Sequence, residues 1–339
     1  MHPPHQAPGP SLELIFETIH GFQRTGALKA ALALDVFTGI ADGANTALTL
    51  ASRSEASARG MRILCDYLVV LGLLTKTADR YELTPDSHAF LNKKSPTYVG
   101  TAVDFLLSPP QVDPFQDVAA AVRHGGAVPG QGVIAPAHPV WVTFARAMAP
   151  LMALPAELLA DVLAVEQDAQ LRVLDIAAGH GLYGLALAKR NPHAEITAVD
   201  WANVLEVARD NARAAGVSER FRTIAGSAFE VAYGEGYDVV LLVNFLHHFD
   251  PATVEEVLRK VYQVLRGSGR AAILEFIPNE DRISPRVPAA FSMMMLATTP
   301  HGDAYTFSEY GRVLRDVGFA SSELHDLPPT YFRAVLARK

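Results

Sequence analysis

Residues 173–184 read VLDIAAGHGLYG, and this stretch decides the fold. An apolar strand runs directly into three glycines, Gly179, Gly181 and Gly184, whose spacing is G-x-G-x-x-G. Glycines at this spacing let the backbone approach a ligand and enter a helix without a long loop. Strand-like and helical segments alternate from here to the C terminus. We therefore predict an α/β fold, a Rossmann-like doubly wound sheet that is mostly parallel.

Two acidic residues near the glycines indicate which ligand the loop holds. Asp200 closes the next strand, EITAVD at 195–200, where a carboxylate can accept both hydroxyls of a ribose. Asp175 lies inside the first strand, where it would repel the pyrophosphate of a dinucleotide but can accept hydrogen bonds from an ammonium group. The pair favours S-adenosylmethionine, which joins a nucleoside and an amino acid through a sulfonium.

Later segments complete the predicted sheet. The segment YDVVLLVNF at 237–245 is continuously apolar, as a strand buried on both faces would be. RAAILEFI at 270–277 and YFRAVLAR at 331–338 follow, and the strand-rich ending predicts a final hairpin. The helix predicted at 251–266 carries charged residues to which we assign no function and which we expect to be solvated: Glu255, Glu256, Arg259 and Lys260.

The N-terminal part is predicted to be helical. Apolar residues recur every three or four positions from Leu12 to Leu34, a shorter helix follows near 46–53, and a longer one starts near Ser57. The segment 75–84 then predicts a β-hairpin, so the order is typical of a winged helix. Residues 100–170 are expected to be mostly helical, with a loop at 125–139 and helices near 139–152 and 154–168. Residues 1–10 are proline-rich and are expected to be a disordered tail.

Composition bounds the possible functions. The chain has 339 residues, 50% of them hydrophobic and 19% charged, which suits about two domains. With 29 basic and 36 acidic residues the net charge is −7, so broad nucleic-acid binding is not expected. Cys65 is the single cysteine, so no intrachain disulfide forms, and we predict no metal site.

The sequence shows neither a signal peptide nor a long apolar run. MHPPHQAPGPS at the N terminus lacks a basic and an apolar region, and no uninterrupted apolar run approaches the ~18 residues of a spanning helix. We therefore expect a cytoplasmic protein without a membrane partner.

Segments along nearly the whole chain, from about residue 12 onward, resemble one enzyme family. They are ALKAALALDVFTGIADG at 27–43, MRILCDYLVVLGLLTKTADRYELTP at 61–85, FARAM at 144–148, VLDIAAGHG at 173–181, AVDW at 198–201, LLVNFLHHFD at 241–250 and ILEFIPNE at 273–280. In this order they resemble the winged-helix small-molecule O-methyltransferases, which include plant caffeic-acid-type enzymes and bacterial hydroxyneurosporene-type and polyketide-tailoring enzymes. The resemblance implies a winged-helix dimerisation domain at 11–100, a helical linker and substrate-lining region at 101–168, and a class I methyltransferase domain that binds S-adenosylmethionine at 169–339.

The resemblance also implies roles for individual residues. His247 falls on the general base, which would take the proton from a hydroxyl of a small aromatic or other apolar acceptor. Residues implied to bind the cofactor are Asp175, Gly179, Gly181, Asp200, Trp201, Ser227, Ala228, Phe229 and Asn244. Residues implied to bind the acceptor are Phe144, Met148, His248, Phe291 and Met294. The helical segment at 12–24 carries more apolar surface than the domain needs to cover itself, and together with the resemblance it predicts a homodimer.

The chain departs from the family pattern at several positions. Ala177 stands where the family has a glycine, and Ser227 stands where it has an aspartate beside the adenine. The glutamate that orients the catalytic histidine is replaced in the stretch HGDAYTFSEYG at 301–311, where only Asp303 could substitute for it.

Two alternatives therefore stay open. Within the enzyme class, the chain could transfer methyl groups to carbon or nitrogen, or bind S-adenosylmethionine for other tailoring chemistry. Outside it, a winged helix could bind DNA. Residues 1–100 carry nine basic and nine acidic residues, and the presumed recognition helix offers Arg59 and Arg62, so this second alternative has little electrostatic support.

Overall fold

A computed structural model describes residues 10–128 and 138–339, which form two compact units that divide between Val103 and Asp104. The tail predicted at 1–10 lies outside the described residues except for Pro10, and so does the central part, 129–137, of the loop predicted at 125–139.

The first unit contains the helices and the hairpin of the N-terminal part. Its elements are α1 (Glu13–Ile19), α2 (Gly21–Ala33), α3 (Val36–Ala41), α4 (Ala47–Arg53), α5 (Ala58–Val70), β1 (Leu74–Thr77), β2 (Arg80–Leu83) and α6 (Pro85–Phe90). The helical segment expected from Leu12 to Leu34 is divided at His20, which ends α1 and precedes α2. The side chains of Thr46 and Ser57 accept hydrogen bonds from backbone N–H groups and so begin α4 and α5.

Burial differs sharply along this unit. Phe37, Leu50, Met61 and Tyr81 are among its most buried side chains and form one core. By contrast, helix α1 buries none of its residues, and its apolar side chains continue onto the start of α2. We call these exposed residues the α1 face: Leu12, Leu14, Ile15, Phe16, Ile19 and Phe22, each between 54% and 73% exposed.

The second unit alternates strands and helices around one large sheet. Its elements, with α7 crossing the boundary, are α7 (Val103–Leu106), α8 (Pro109–Val112), α9 (Val118–His124), α10 (Val140–Leu163), β3 (Leu171–Ile176), α11 (Leu182–Arg190), β4 (Ala194–Asp200), α12 (Ala202–Ala214), β5 (Phe221–Ala225), β6 (Tyr237–Val243), α13 (Pro251–Val264), β7 (Leu265–Glu275), α14 (Arg286–Thr298), α15 (Phe307–Val317), β8 (Ser321–Asp326) and β9 (Arg333–Arg338).

The sheet has the order β5-β4-β3-β6-β7-β9-β8. The first five strands are parallel, and β9 runs antiparallel to both β7 and β8. This confirms the predicted doubly wound sheet with a final hairpin. The chain order reverses between β3 and β6, so the crevice at the carboxyl ends of these two strands is where such a sheet binds ligands.

Helix α10 differs from its prediction. Two helices were expected at 139–152 and 154–168, but a single helix of 24 residues runs through Pro150 and Pro155. Its buried face, which includes Met148, Met152 and Leu159, packs against α11 and α12, and this packing offsets the hydrogen bonds that proline cannot donate. Within the described ranges it is the one helix whose length and composition would allow it to cross a membrane.

Candidate active site

The glycine loop between β3 and α11 has a backbone that requires glycine. Gly179 and Gly181 have φ values of +57° and +73°, in the left-handed region that side chains disfavour. A Cβ on Gly181 would lie 3.1 Å from the Cβ of Ala208, and one on Gly184 would lie 2.7 Å from the Cγ2 of Ile196. Ala177 also has a positive φ, +55°, where the family pattern has glycine, so this chain accepts some strain there.

Asp200, at the end of β4, holds the loop in place. One carboxylate oxygen accepts a hydrogen bond from the N–H of Gly179 at 2.8 Å, and the other accepts one from the N–H of Trp201 at 2.7 Å. A carboxylate has about four acceptor positions, so each oxygen can still accept one ribose hydroxyl. Burial raises the pKa of Asp200 to about 6.

Asp175 lies deeper, at the carboxyl end of β3, and is 1% exposed. Its carboxylate accepts a hydrogen bond from the N–H of Gly184 at 3.3 Å, and no cation among the described residues pairs with it. Burial, with a smaller contribution from Asp200, raises its pKa to about 8. A buried carboxyl without a cationic partner, beside a glycine loop, fits a ligand that brings its own ammonium group.

The predicted base, His247, follows β6 and is 5% exposed. Its Nδ1 lies 2.5 Å from Oε2 of Glu275, the last residue of β7. The other oxygen of Glu275 accepts hydrogen bonds at 2.9 Å from the N–H groups of Phe245 and Leu246. A neutral imidazole that donates through Nδ1 has its lone pair on Nε2, so Nε2 is the atom that can accept a proton.

Sequence reasoning missed Glu275. The signal was an acidic residue at the end of the apolar strand AAILE, but its partner follows a different strand, and only the β6–β7 pairing brings the two together. The substitute we considered, Asp303, is placed elsewhere. Its carboxylate accepts hydrogen bonds from Arg282 at 3.1 Å and from the N–H of Ala304 at 2.8 Å, and only its backbone N–H reaches His247, at the carbonyl oxygen.

Two rings contact the His247 imidazole. The ring of Phe291, on α14, lies 4.9 Å from it edge to face, and the ring of His248 lies 4.3 Å from it. The centre of the Trp141 ring lies 6.0 Å from that of His248 and 6.4 Å from that of Phe144, which is on α10 like Trp141. Burial, followed by electrostatic interaction with the neighbouring His247, holds the pKa of His248 well below its usual range, so His248 is neutral.

Three of the residues implied to bind the acceptor, Phe144, His248 and Phe291, thus lie in one chain of rings with His247. Sequence reasoning missed Trp141, which belongs to the same chain of rings. Met148 is 5% exposed on the buried face of α10, and Met294 is half-buried on α14.

The residues implied to bind adenine lie on two segments. Trp201 precedes α12 and packs with Val204, Val207 and Trp141. The segment 227–231, which we call the adenine-side loop, follows β5. The centre of the Phe229 ring in this loop lies 6.2 Å from that of Phe245 and 5.1 Å from that of Phe249.

Asn244 closes β6 in a left-handed conformation, with φ of +49°. Its amide oxygen is buried and has no hydrogen-bond partner within the described part of the chain. Because β3 pairs in parallel with both β4 and β6, Asp175, Asp200 and Asn244 lie at the same edge of the sheet.

Comparison with known families identifies this arrangement. Residues 133–320 match the model of the O-methyltransferase domain, and residues 16–93 match that of the O-methyltransferase dimerisation domain. The first match covers more than half of the chain.

Individual relatives agree with the family models. A 3-hydroxy-5-methyl-1-naphthoate 3-O-methyltransferase from Streptomyces sahachiroi is 28% identical over 311 residues, covering 90% of this chain and 88% of the relative. The tetracenomycin polyketide synthesis 8-O-methyl transferase TcmO from Streptomyces glaucescens is 27% identical over 322 residues, covering 93% of this chain and 92% of the relative.

Solved structures share the fold over the whole length. One is the crystal structure of a Nostoc punctiforme protein classed as an O-methyltransferase. Its sequence is 53% identical to this chain, the TM-score is 0.94, and the match covers 98% of this chain and 100% of that one. Human N-acetylserotonin methyltransferase in complex with S-adenosylmethionine has the same fold at 22% identity, with a TM-score of 0.84, covering 98% of this chain and 99% of that one. The chain belongs to the S-adenosylmethionine-dependent O-methyltransferase family, and it carries both the methyltransferase domain and the dimerisation domain of that family.

Proposed function

We propose that the enzyme methylates a hydroxyl oxygen of an aromatic small molecule, with His247 as the general base. The observation that carries this proposal is the buried His247–Glu275 pair, in which Glu275 engages Nδ1 and the imidazole ring packs against the ring of Phe291. A phenol has a pKa of about 10 and is a poor nucleophile while protonated. A fixed imidazole nitrogen can remove that proton as the oxygen attacks.

Each residue of the pair has a separate task. S-adenosylmethionine supplies an activated methyl group on a sulfonium. His247 accepts the hydroxyl proton at Nε2, and the Glu275 carboxylate keeps Nδ1 protonated, fixes the ring and stabilises the imidazolium that forms. The backbone N–H groups of Phe245 and Leu246 hold Glu275 in turn. The remaining task of the protein is to align the reacting oxygen with the methyl carbon.

We assign the cofactor contacts from the same geometry. Asp200 would accept hydrogen bonds from both ribose hydroxyls, and Asp175 would accept a hydrogen bond from the ammonium group. The glycines of the loop, Gly179 and Gly181, leave room for the methionine part. Adenine would lie between Trp201 and the adenine-side loop with its residues Ser227, Ala228 and Phe229, and Asn244 would accept a hydrogen bond at the carboxyl end of β6.

The acceptor is proposed to be flat and aromatic. The rings of Phe144, Trp141 and Phe291 offer faces and edges to such a molecule, while Met148 and Met294 supply adaptable packing. The relatives from Streptomyces are named for a naphthoate and for a tetracenomycin polyketide. We therefore favour a phenol on a fused-ring acid or polyketide.

Carbon methylation is the second candidate. A Streptomyces lavendulae relative, 28% identical over 149 residues and covering 44% of this chain, is an L-tyrosine C(3)-methyltransferase. Another, from Chlorobaculum tepidum, is a bacteriochlorophyllide d C-20 methyltransferase, 24% identical over 284 residues.

The two candidates are separated by product analysis. The enzyme is incubated with isotopically labelled cofactor and a panel of phenols, naphthols and polyketides, and the labelled product is located by mass spectrometry and NMR. A methoxy product supports the proposal. A label on ring carbon or on nitrogen contradicts it.

We also propose a homodimer formed through the first unit. The match to the dimerisation domain and the exposed α1 face support it. A cytoplasmic location, and the lack of nucleic-acid and membrane partners, stay predictions.

A further inference from the structure

Lys260, on α13, is not the solvated charge that the sequence suggested. Its ammonium nitrogen donates to three backbone carbonyl oxygens of the adenine-side loop: Ala228 at 2.9 Å, Phe229 at 3.1 Å and Val231 at 2.7 Å. It also lies 4.0 Å from the centre of the Tyr233 ring. All three of its donors are therefore directed at one short loop.

The loop has little backbone hydrogen bonding of its own. The N–H groups of Glu230 and Val231 both donate to the carbonyl of Ser227. The N–H of Phe229 donates to the hydroxyl of Ser227 at 3.2 Å, so the turn closes on that one residue. Within the described residues no backbone N–H donates to the three carbonyls that Lys260 binds. The hydroxyl of Tyr233 donates to the Ala228 carbonyl as well, and Tyr237 donates to the carbonyl of Tyr233 at 2.6 Å.

A cation with three N–H donors suits this place. Three carbonyl acceptors converge on one nitrogen, and the face of the Tyr233 ring adds a favourable cation–π contact. The charge has no carboxylate within ion-pair distance among the described side chains. Lys260 therefore occupies the loop as a bound metal cation would, except that the cation is tethered to α13.

We propose that Lys260 is a positioning residue, which shapes the adenine-side loop and thereby sets the affinity for the cofactor from outside the cofactor site. This inference rests on the proposed function, because it requires that Ser227–Phe229 contact the adenine. In this loop, Phe229 packs against the rings of Phe245 and Phe249. If the loop were released from Lys260, this packing of Phe229 would be lost as well.

The first test replaces Lys260 by methionine, whose unbranched side chain matches that of lysine as far as Cε and lacks the charged group with its donors. We expect the Kd for S-adenosylhomocysteine to rise by about 10–100-fold, the size expected when hydrogen bonds from a charged group are lost. The KM for S-adenosylmethionine should rise in parallel, while kcat at saturating cofactor stays within about threefold. Arg259→Met is the matched control, because Arg259 is a neighbour on α13 that pairs with Glu255 of the same helix.

A chemical rescue separates positioning from a general loss of structure. Lys260→Cys is alkylated with bromoethylamine, which restores an ammonium group at the length of lysine, or with bromoethanol, which adds a neutral hydroxyl at that length. The natural Cys65 is buried, and burial raises the pKa of its thiol to about 12, so the introduced thiol reacts selectively. We expect aminoethylation to restore the affinity and hydroxyethylation not to restore it. If Lys260→Met does not fold, the comparison of the two alkylated forms of Lys260→Cys provides the test by itself.

The outcomes are distinguishable from failure of the proposed function. If Asp200→Ala weakens binding while Lys260→Met and the unalkylated variant bind normally, the inference about Lys260 is overturned and the cofactor site stands. If Asp200→Ala binds normally, the cofactor site is wrong and the inference falls with it. Equal recovery with either alkylating reagent would also overturn the inference, because it would show that bulk and not charge is needed.

Discussion

At the scale of single residues, His247 and its neighbour His248 form an internal comparison. His247 is held by Glu275, whereas His248 packs between Trp141 and His247 and is neutral. We expect His247→Ala to lose about 10²–10⁴-fold in kcat, the usual contribution of a positioned base, with an unchanged Kd for S-adenosylhomocysteine. His248→Ala should be mild. Steady-state kinetics together with calorimetry test both, and the reverse result would show that the wrong histidine has been assigned.

Glu275 is the second residue whose removal is informative. Glu275→Gln keeps the size and one acceptor oxygen for the N–H groups of Phe245 and Leu246, but its amide cannot stabilise an imidazolium. We expect kcat to fall by about 10–100-fold, as is typical when the partner that orients a histidine is lost. Asp303→Asn is the control, since the Asp303 carboxylate contacts Arg282 and the N–H of Ala304, and it should change kcat little. Equal losses in the two variants would contradict this assignment.

Cofactor binding should become tighter with rising pH. Burial raises the pKa of Asp175 to about 8 and that of Asp200 to about 6, so the carboxyl of Asp175 is largely protonated at neutral pH. An ammonium group binds the ionised form, and binding below these pKa values must therefore release protons. Calorimetric titration of S-adenosylhomocysteine in two buffers of different ionisation enthalpy measures that release. Asp175→Asn should bind more weakly and lose most of the pH dependence. Proton uptake on binding would contradict the argument.

At the scale of elements, the glycine loop supports a prediction about stability. Gly181 has a φ of +73°, and an added Cβ would lie 3.1 Å from the Cβ of Ala208. We expect Gly181→Ala to lower the free energy of unfolding by about 1–2 kcal/mol, the cost of a left-handed alanine, and to weaken cofactor binding. Gly267→Ala in β7 is the control, because that glycine has an ordinary φ and no atom within 4 Å of its added Cβ. Denaturant titration compares them, and equal stabilities would contradict the prediction.

Elements whose signal is local were predictable from the sequence. The G-x-G-x-x-G spacing and Asp200 at a strand end mark β3, α11 and β4, and the apolar run at 237–245 marks β6, because short-range backbone chemistry decides these elements. The continuity of helix α10, predicted as two helices, was not predictable, because proline breaks a helix by propensity. Only packing against α11 and α12 keeps it continuous through Pro150 and Pro155.

Contacts between elements distant in sequence escaped prediction for the same reason. Glu275 is 28 residues from His247 in sequence, and Lys260 is 32 from Ala228. A carboxylate at a strand end and a lysine on a helix have ordinary local patterns. Their roles arise from the neighbouring β6 and β7 in one case and from the position of α13 beside a loop in the other.

At the scale of the whole molecule, the α1 face should decide the oligomeric state. Leu14 and Ile19 are 73% and 60% exposed, and exposed apolar patches of this kind are usually covered by a partner. We expect Leu14→Glu combined with Ile19→Glu to convert a homodimer into a monomer, or to cause aggregation, as measured by sedimentation at micromolar concentration. Glu17→Gln on the same helix is the control and should remain a dimer. A natural chain that sediments as a stable monomer would contradict the proposal.

The placement of the His247–Glu275 pair has a consequence for how this enzyme could change over evolution. Both residues are anchored at the ends of adjacent central strands, whereas Trp141, Phe144 and Phe291 stand on the helices α10 and α14. Substitutions on those helices can alter the accepted molecule without moving the proton acceptor, because the spacing of the paired strands does not depend on them. Different parts of the chain thus determine the choice of acceptor and the proton transfer. Mutant libraries aimed at new acceptors should therefore vary the two helices and leave both strand ends intact.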